Sequence, residues 1–320
     1  MGAMLAIGVD VGGTKIAAGV VDSDGNILES GSVATPRGDG EATAQAIFAA
    51  VDGLRAKYEV SAIGVGAAGH VTWPDGCIRY APNIAYRDFA LGRMLRERTG
   101  LPCAVDNDAA VAALAEHRLG AGRGVNDFVL VTVGTGIGGG LVLGGRVYRG
   151  ARGFAAEVGH MVVAGDGPEC ACGRRGCWEQ LASGTSLDRL AREAVAAGRG
   201  AAILDAAGGD PTRVAGLAVF EAASAGDPVA VSLFAEVGGW LGLGLGNLAN
   251  ILEPALLIVG GGLVKTGDLL LEPARQALPP FAKANAEFGY FKPIPIVPAE
   301  LGQEAGLVGA ALLGLAEGMA

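Results

Sequence analysis

Lysine is scarce in this chain. Five occur (Lys15, Lys57, Lys265, Lys283 and Lys292) among 24 basic residues, against 33 acidic ones. The resulting net charge of −9 excludes a nucleic-acid surface, which needs a basic patch to neutralise phosphates. Charged residues are also few, at 18% against roughly 25% in ordinary globular chains, while hydrophobic residues reach 51%. Such a chain buries a large core, so intrinsic disorder is excluded. Cysteine is low and odd in number: Cys77, Cys103, Cys170, Cys172 and Cys177. With no basic leader ahead of Leu5, that count points to a reducing, cytoplasmic setting. The longest apolar run, Val237 to Leu252, carries Asn247 and Asn250 and stops at Glu253-Pro254. It reads as a buried helix, and no membrane partner is expected. Also missing is any G-x-x-x-x-G-K-[ST] run, which excludes a P-loop.

What the chain has in excess is glycine, 55 of 320 residues, against a usual 7% or so. No G-x-y period runs through it and prolines number only 14, so neither collagen nor a flexible linker fits. At roughly 150 residues per domain, the length fits two domains. Apolar strands predicted at Leu5–Val9, Ile16–Val21, Ala62–Val65, Cys103–Val105, Phe128–Val133, Ile137–Leu143, Leu256–Val259 and Ile294–Val297 alternate with helical spacing. The helices are predicted over Ala42–Tyr58, Leu91–Thr99, Ala109–Leu119, Leu187–Ala196, Pro228–Leu252, Leu269–Ala277 and Glu304–Glu317. Alternation of this kind means α/β layers. A shift of 121 residues superposes Gly13-Thr14 on Gly134-Thr135, Ile16 on Ile137, Gly19 on Gly140 and Val21 on Val142. Both copies open a strand–turn–strand unit, which points to a duplicated βββαβα half.

Three glycine turns close apolar strands: Asp10–Lys15, Gly134–Gly140 and Val259-Gly260-Gly261-Gly262. Such turns aim backbone N–H groups into a common hollow that suits phosphate, and glycine adopts positive φ without strain. Gly134, Gly136 and Gly139 satisfy G-x-G-x-x-G, but Leu141 to Gly145 reads as strand and hairpin. The dinucleotide fingerprint needs a helix there, so it is discounted. Asp106-Asn107-Asp108 ends one strand and opens a helix. Helix capping explains one of the three, and a carboxylate at a strand's carboxyl end also suits proton transfer from a bound hydroxyl.

Cys170, Cys172 and Cys177 place three thiols within eight residues, and His160 stands ten upstream. A disulfide would strand one thiol, so a closed, structural Cys₃His zinc site is the stronger reading. Glu157 and Glu179 flank this knot. They are either solvated surface acids or acceptors for sugar hydroxyls.

Together, Asp10-Val11-Gly12-Gly13-Thr14-Lys15, Asp106-Asn107-Asp108-Ala109, Gly134-Thr135-Gly136-Ile137-Gly138-Gly139-Gly140, Glu157-Val158-Gly159-His160 and Cys170-x-Cys172-Gly173-x-x-Gly176-Cys177-x-Glu179 resemble the ROK family of sugar kinases and repressors. The resemblance covers nearly the whole chain in the family's order, with the look of its bacterial ATP-dependent glucokinases. It implies an actin-like (ribonuclease H-like) duplicated two-lobe α/β fold with sugar and ATP in the intervening cleft. A small N-terminal lobe would span residues 1–107, completed by a C-terminal helix at 304–320. A large lobe would span 108–303, with a zinc-binding loop at 157–179. The implied reaction is ATP-dependent phosphorylation of glucose at the C6 hydroxyl, by a homodimer or homotetramer. Asp108 would be the general base, and Asn83, Asn107, Glu157, His160 and Glu179 would contact the sugar. His160, Cys170, Cys172 and Cys177 would hold structural Zn²⁺. Asp10, Gly12, Gly13, Thr14 and Lys15, with Gly134, Thr135 and Gly136, would hold the ATP phosphates, Asp10 near Mg²⁺. Gly260, Gly261 and Gly262 would lie beside the adenosine.

Two departures stand out: Ala68-Gly69 where Pro-Gly is usual, and Asp106 where Glu is common. The family leaves other substrates open, namely fructose, mannose, N-acetylmannosamine and N-acetylglucosamine. A sugar-responsive repressor would need a helix-turn-helix domain ahead of the first strand, for which a start at Leu5 leaves no room. Polyphosphate as donor would favour a more basic groove than −9 provides.

Overall fold

The alternating apolar stretches fold into two five-stranded sheets with one shared strand order. The structure, a computed structural model, describes residues 4–36, 38–81, 86–279, 282 and 294–318. Strands β1 (Leu5–Val11), β2 (Lys15–Asp22) and β3 (Ile27–Ala34) form an antiparallel meander. Helix α1 (Gly40–Arg55) begins where the Asp39 carboxylate accepts the Ala42 N–H at 2.9 Å. Strand β4 (Ala62–Ala67) joins β1 in parallel. A small sheet of β5 (His70–Val71), β6 (Ile78–Ala81) and β7 (Tyr86–Phe89) follows, which periodicity did not reveal because its strands are so short. Helix α2 (Leu91–Thr99) then leads to β8 (Cys103–Asn107), parallel to β4, and α3 (Asp108–Leu119) leaves it.

The pattern then starts again with β9 (Phe128–Val133), β10 (Ile137–Leu143) and β11 (Arg146–Val147). Helices α4 (Glu179–Ala182), α5 (Gly184–Ala196), α6 (Ala201–Ala206), α7 (Gly216–Ser224) and α8 (Pro228–Leu252) precede β12 (Leu256–Gly260). Helix α9 (Asp268–Ala277), β13 (Ile296–Pro298) and α10 (Ala305–Gly318) complete the chain. The sheet orders are β3-β2-β1-β4-β8 and β11-β10-β9-β12-β13. Each half thus runs third, second, first, fourth, fifth, and the echo at 121 residues is a duplicated topology.

Two compact units divide the chain. The first holds Met1–Leu130, Gly140–Ala156 and Ala299–Ala320, and the second Val131–Gly139 and Glu157–Pro298. The division expected at residues 107/108 falls elsewhere because α3 packs on α10, where Gly309 sits against the Val111 carbonyl. The fully buried Glu116 reinforces that contact. Its carboxylate accepts N–H groups of Ala121 at 2.8 Å, Leu301 at 2.9 Å and Glu300 at 3.2 Å.

Within the first unit, the glycine excess has a packing cause. Gly19, Gly8 and Gly64 pair side by side across β2, β1 and β4. A Cβ on Gly8 would strike the Leu307 carbonyl oxygen, and one on Gly64 the Ala310 carbonyl oxygen, both in α10. The row is a trench that lets α10 lie directly on the sheet. Gly140, which the 121-residue shift superposes on Gly19, meets the Ala109 carbonyl of α3 in the same way. The atoms nearest that Gly64 Cβ are all α10 backbone, so Gly64→Ala is expected to lower stability by about 3 kcal/mol, the upper end of overpacking. Urea midpoints check this, and an unchanged midpoint would mean the helix yields.

In the second unit, α8 spans the 228–252 stretch read from the sequence. Its length and composition would suit a membrane span, but 56% of its most apolar window is buried in the protein. Gly242 sits on the Ala274 carbonyl of α9 and Gly244 on the Trp178 ring. Trp178 is fully buried and donates Nε1–H to the Trp240 carbonyl at 2.8 Å.

Candidate active site

In the first unit, parallel pairing brings chemistry to one sheet edge. Asp10 of β1 pairs with Gly66 of β4, which pairs with Asp106 of β8. Asp108 follows two residues on, as the first residue of α3. Three adjacent polar residues divide the labour here. Asn107 is the helix cap: its Oδ1 accepts the N–H groups of Ala109 at 2.9 Å and Ala110 at 3.2 Å, while Nδ2 donates to the Gly69 carbonyl at 3.2 Å. Asp106 is 1% exposed and pairs with Arg149, Nε to Oδ2 2.6 Å. Its burial raises the carboxyl's pKa and Arg149 opposes that rise. Asp108 Oδ1 lies 2.9 Å from the Ala109 N–H.

Burial, then the charge of Asp108, pushes Asp10 up to about 6, and Lys15 acts the other way. A carboxyl whose folded pKa lies above its unfolded value stabilises the fold when protonated. That contribution is whole below about 4 and is lost as pH rises through about 6. Without nucleotide or divalent cation, the wild type is therefore expected to lose at most about 3 kcal/mol relative to Asp10→Asn across this window. Denaturant titrations at stepped pH measure it, and parallel curves would show that the Asp10 charge carries no penalty.

In the second unit, Gly134–Gly136 sits between β9 and β10. The Gly134 carbonyl accepts the Gly184 N–H at 2.8 Å and the Thr135 carbonyl the Thr185 hydroxyl at 2.6 Å. Thr185 had no signal in the sequence, being 50 residues away. A Cβ on Gly136 would lie 2.7 Å from Glu179 Oε2. Glu179, opening α4, places Oε1 3.1 Å from Cys170 Sγ and 3.5 Å from His160 Nδ1. His160 faces two ways, with Nδ1 3.6 Å from Cys170 Sγ and Nε2 4.0 Å from Glu157 Oε2. One imidazole thus joins the thiol cluster to both glutamates.

The ligand atoms of His160, Cys170, Cys172 and Cys177 all lie within 4.8 Å of one another, and Cys172 and Cys177 Sγ are 3.5 Å apart. A tetrahedral zinc with bonds of about 2.3 Å separates its sulfurs by about 3.8 Å. The donor set therefore fits zinc in type and spacing. Burial pushes the Cys170 thiol up to about 12 and also raises Cys177, whereas the Arg174 N–H draws exposed Cys172 down to about 6.

The glycine turns depart from the expectation of left-handed backbone. Of Gly12, Gly134, Gly136 and Gly261, only Gly261 has positive φ, at +85°. There a Cβ would meet the Val133 backbone. The Gly12 N–H donates to the Lys15 carbonyl at 3.0 Å, and the Gly12 carbonyl accepts the Thr35 hydroxyl at 2.7 Å. That N–H therefore closes the β1–β2 turn and is not offered to an anion. Gly262 opens a short 3₁₀ turn, and Lys15 opens β2. Asn83, expected to contact the sugar, lies outside the described residues.

Duplicated sheets, strand-end acids and a Cys₃His cluster with spacing that suits zinc define the class as a two-unit α/β protein. Residues 6–317 match the ROK family, and the chain belongs to that family. It is 45% identical over 310 residues to a glucokinase of Streptomyces coelicolor, covering 96% of each chain. It resembles the crystal structure of a ROK family glucokinase from Streptomyces griseus in complex with glucose and AMPPNP, at 45% identity and TM-score 0.86 over 98% of this chain and 99% of that one. A ROK hexokinase from Thermus thermophilus is 39% identical with TM-score 0.77, covering 98% and 99% respectively.

Proposed function

We propose that the chain transfers the γ-phosphoryl group of ATP to the C6 hydroxyl of glucose, giving glucose 6-phosphate and ADP. The observation that carries this reading is the full-length, 45% identity to glucokinases, one of them solved with glucose and AMPPNP. The C6 oxygen attacks the γ-phosphorus, the bond to the β,γ-bridging oxygen breaks, and the hydroxyl proton passes to Asp108. A loose transition state leaves positioning and charge neutralisation as the main work. Mg²⁺ bound with ATP supplies part of that neutralisation, with Asp10 the chain's carboxylate near it. Asn83, Asn107, Glu157, His160 and Glu179 bind the sugar hydroxyls. Gly13, Thr14, Lys15 and Gly134–Gly136 hold the phosphates, and Gly260–Gly262 lie beside the adenosine. His160, Cys170, Cys172 and Cys177 hold zinc, a structural ion that fixes the loops bearing Glu157 and Glu179. The protein works in the cytoplasm as a homodimer or homotetramer.

A coupled ADP-release assay crossing glucose, fructose, mannose and two N-acetylhexosamines with ATP tests the reading, with polyphosphate tested by glucose 6-phosphate formation. Glucose with ATP is expected to give the highest kcat/KM. A higher value for another sugar, or for polyphosphate, overturns the assignment of substrate or donor.

A further inference from the structure

Arg149 carries no motif, yet it joins three segments of the first unit. Its Nε lies 2.6 Å from the Asp106 carboxylate, at the end of β8. Its guanidinium sits 3.9 Å above the Trp73 ring, in the turn between β5 and β6. Its Nη1 donates to the Val147 carbonyl at 3.3 Å, and its own carbonyl accepts the N–H groups of Gly153 at 3.1 Å and Ala155 at 3.2 Å. The side chain is 18% exposed and that of its partner Asp106 1%.

The other oxygen of Asp106 accepts the Asn107 N–H at 2.9 Å. Asn107 in turn caps α3 and holds the Gly69 carbonyl. From Arg149 to Asp108 there is therefore a continuous chain: guanidinium, Asp106 carboxylate, Asn107 backbone, helix cap. A buried ion pair adds little net stability over a well-packed apolar pair of the same volume. What it adds is direction: the Trp73 ring beneath the guanidinium and the Val147 carbonyl hold Arg149, and its Nε–Oδ2 contact passes that orientation to the Asp106 carboxylate. The guanidinium also offsets the burial of Asp106, two residues before Asp108, whose charge already raises Asp10.

We propose that Arg149 is a positioning residue for phosphoryl transfer, acting through Asp106 and Asn107 to hold Asp108 where it meets the sugar hydroxyl. The proposal rests on the reading of Asp108 as the base. A misplacement of about 1 Å at a reacting group costs roughly 10²-fold in rate.

Arg149→Ala is expected to lower kcat by about 10²-fold, with the KM values for glucose and ATP little changed. The truncation leaves a slot between Trp73 and Asp106 that fits a free guanidinium ion. Low concentrations of guanidinium are expected to restore much of the lost kcat, and ammonium at equal ionic strength is not. A purely structural residue would show neither the kcat-only loss nor the ion-specific rescue. Asp106→Asn, which keeps the shape but drops the charge, is expected to show the same kcat-selective loss, without rescue. The proposal is overturned if Arg149→Ala keeps kcat within about threefold, well short of the effect of a displaced base. It is equally overturned if guanidinium restores nothing, or if both variants fail to fold. Wild type and Asp108→Asn are assayed alongside. A wild type inactive on every hexose, or an active Asp108→Asn, refutes the underlying reading and the proposal with it. An active wild type, an inactive Asp108→Asn and an unaffected Arg149→Ala refute the proposal alone.

Discussion

Asp108→Asn is expected to lower kcat for glucose phosphorylation by roughly 10²- to 10⁴-fold, the usual contribution of a positioned base, with the KM for glucose nearly unchanged. An amide of the same shape can keep its contact with the Ala109 N–H but cannot take up the C6 proton. The fold should tolerate the change, because the cap of α3 comes from Asn107. Losing Asp108's charge also removes one of the two causes that hold Asp10 up near 6. The variant's melting curve should therefore be no worse than the wild type's. Steady-state kinetics and thermal melts on the same preparation check both halves. Activity within about threefold of wild type would show that phosphoryl transfer needs no base at this position.

Much of this arrangement is legible in the sequence, and the part that is not has a common physical cause. Helices such as α2, predicted at Leu91–Thr99, and strands such as β9 and β10 coincide with the structure, because each is fixed by its own periodicity and punctuation. The duplicated topology is legible because both glycine turns sit at equivalent places. The Cys/His cluster is legible because three of its four side chains lie within eight residues. What escapes is contact between segments far apart in the chain. Arg149 meets Asp106 across 43 residues, and Glu116 meets Leu301 across 185. Neither pair has a local pattern to betray it. The glycine trench is hidden for a related reason: Gly8, Gly19 and Gly64 fall in three separate predicted strands, and nothing marks them as one row until pairing aligns them under α10. The same long-range packing moves the unit boundary past α3. Asp106-Asn107-Asp108 shows both sides at once, since the triplet offers both a cap and a carboxylate at a strand's end, but only the contacts assign the cap to Asn107.

Removing one thiol of the knot is expected to damage sugar binding more than chemistry. Cys172→Ala takes away the most exposed donor of the four, leaving Cys170, Cys177 and His160, too few for a closed tetrahedral site. Zinc content, expected at one equivalent in the wild type, should fall below detection by elemental analysis. His160 then loses the ligand that orients it. Glu179, 3.5 Å from its Nδ1, and Glu157, 4.0 Å from its Nε2, lose the imidazole between them. Disturbed shells around metal sites commonly cost about 10- to 100-fold in affinity or activity, and here the loss should fall on the KM for glucose. Asp108 lies in the other unit, on α3, outside the knot. At saturating glucose, kcat should therefore fall far less than in Asp108→Asn, and ATP binding should hold. Stripping the wild type with a chelator should reproduce the variant, and added zinc should rescue the stripped wild type but not Cys172→Ala. A wild type that contains no zinc, or a Cys172→Ala variant that loses zinc yet keeps its glucose KM, would separate the knot from the sugar site altogether.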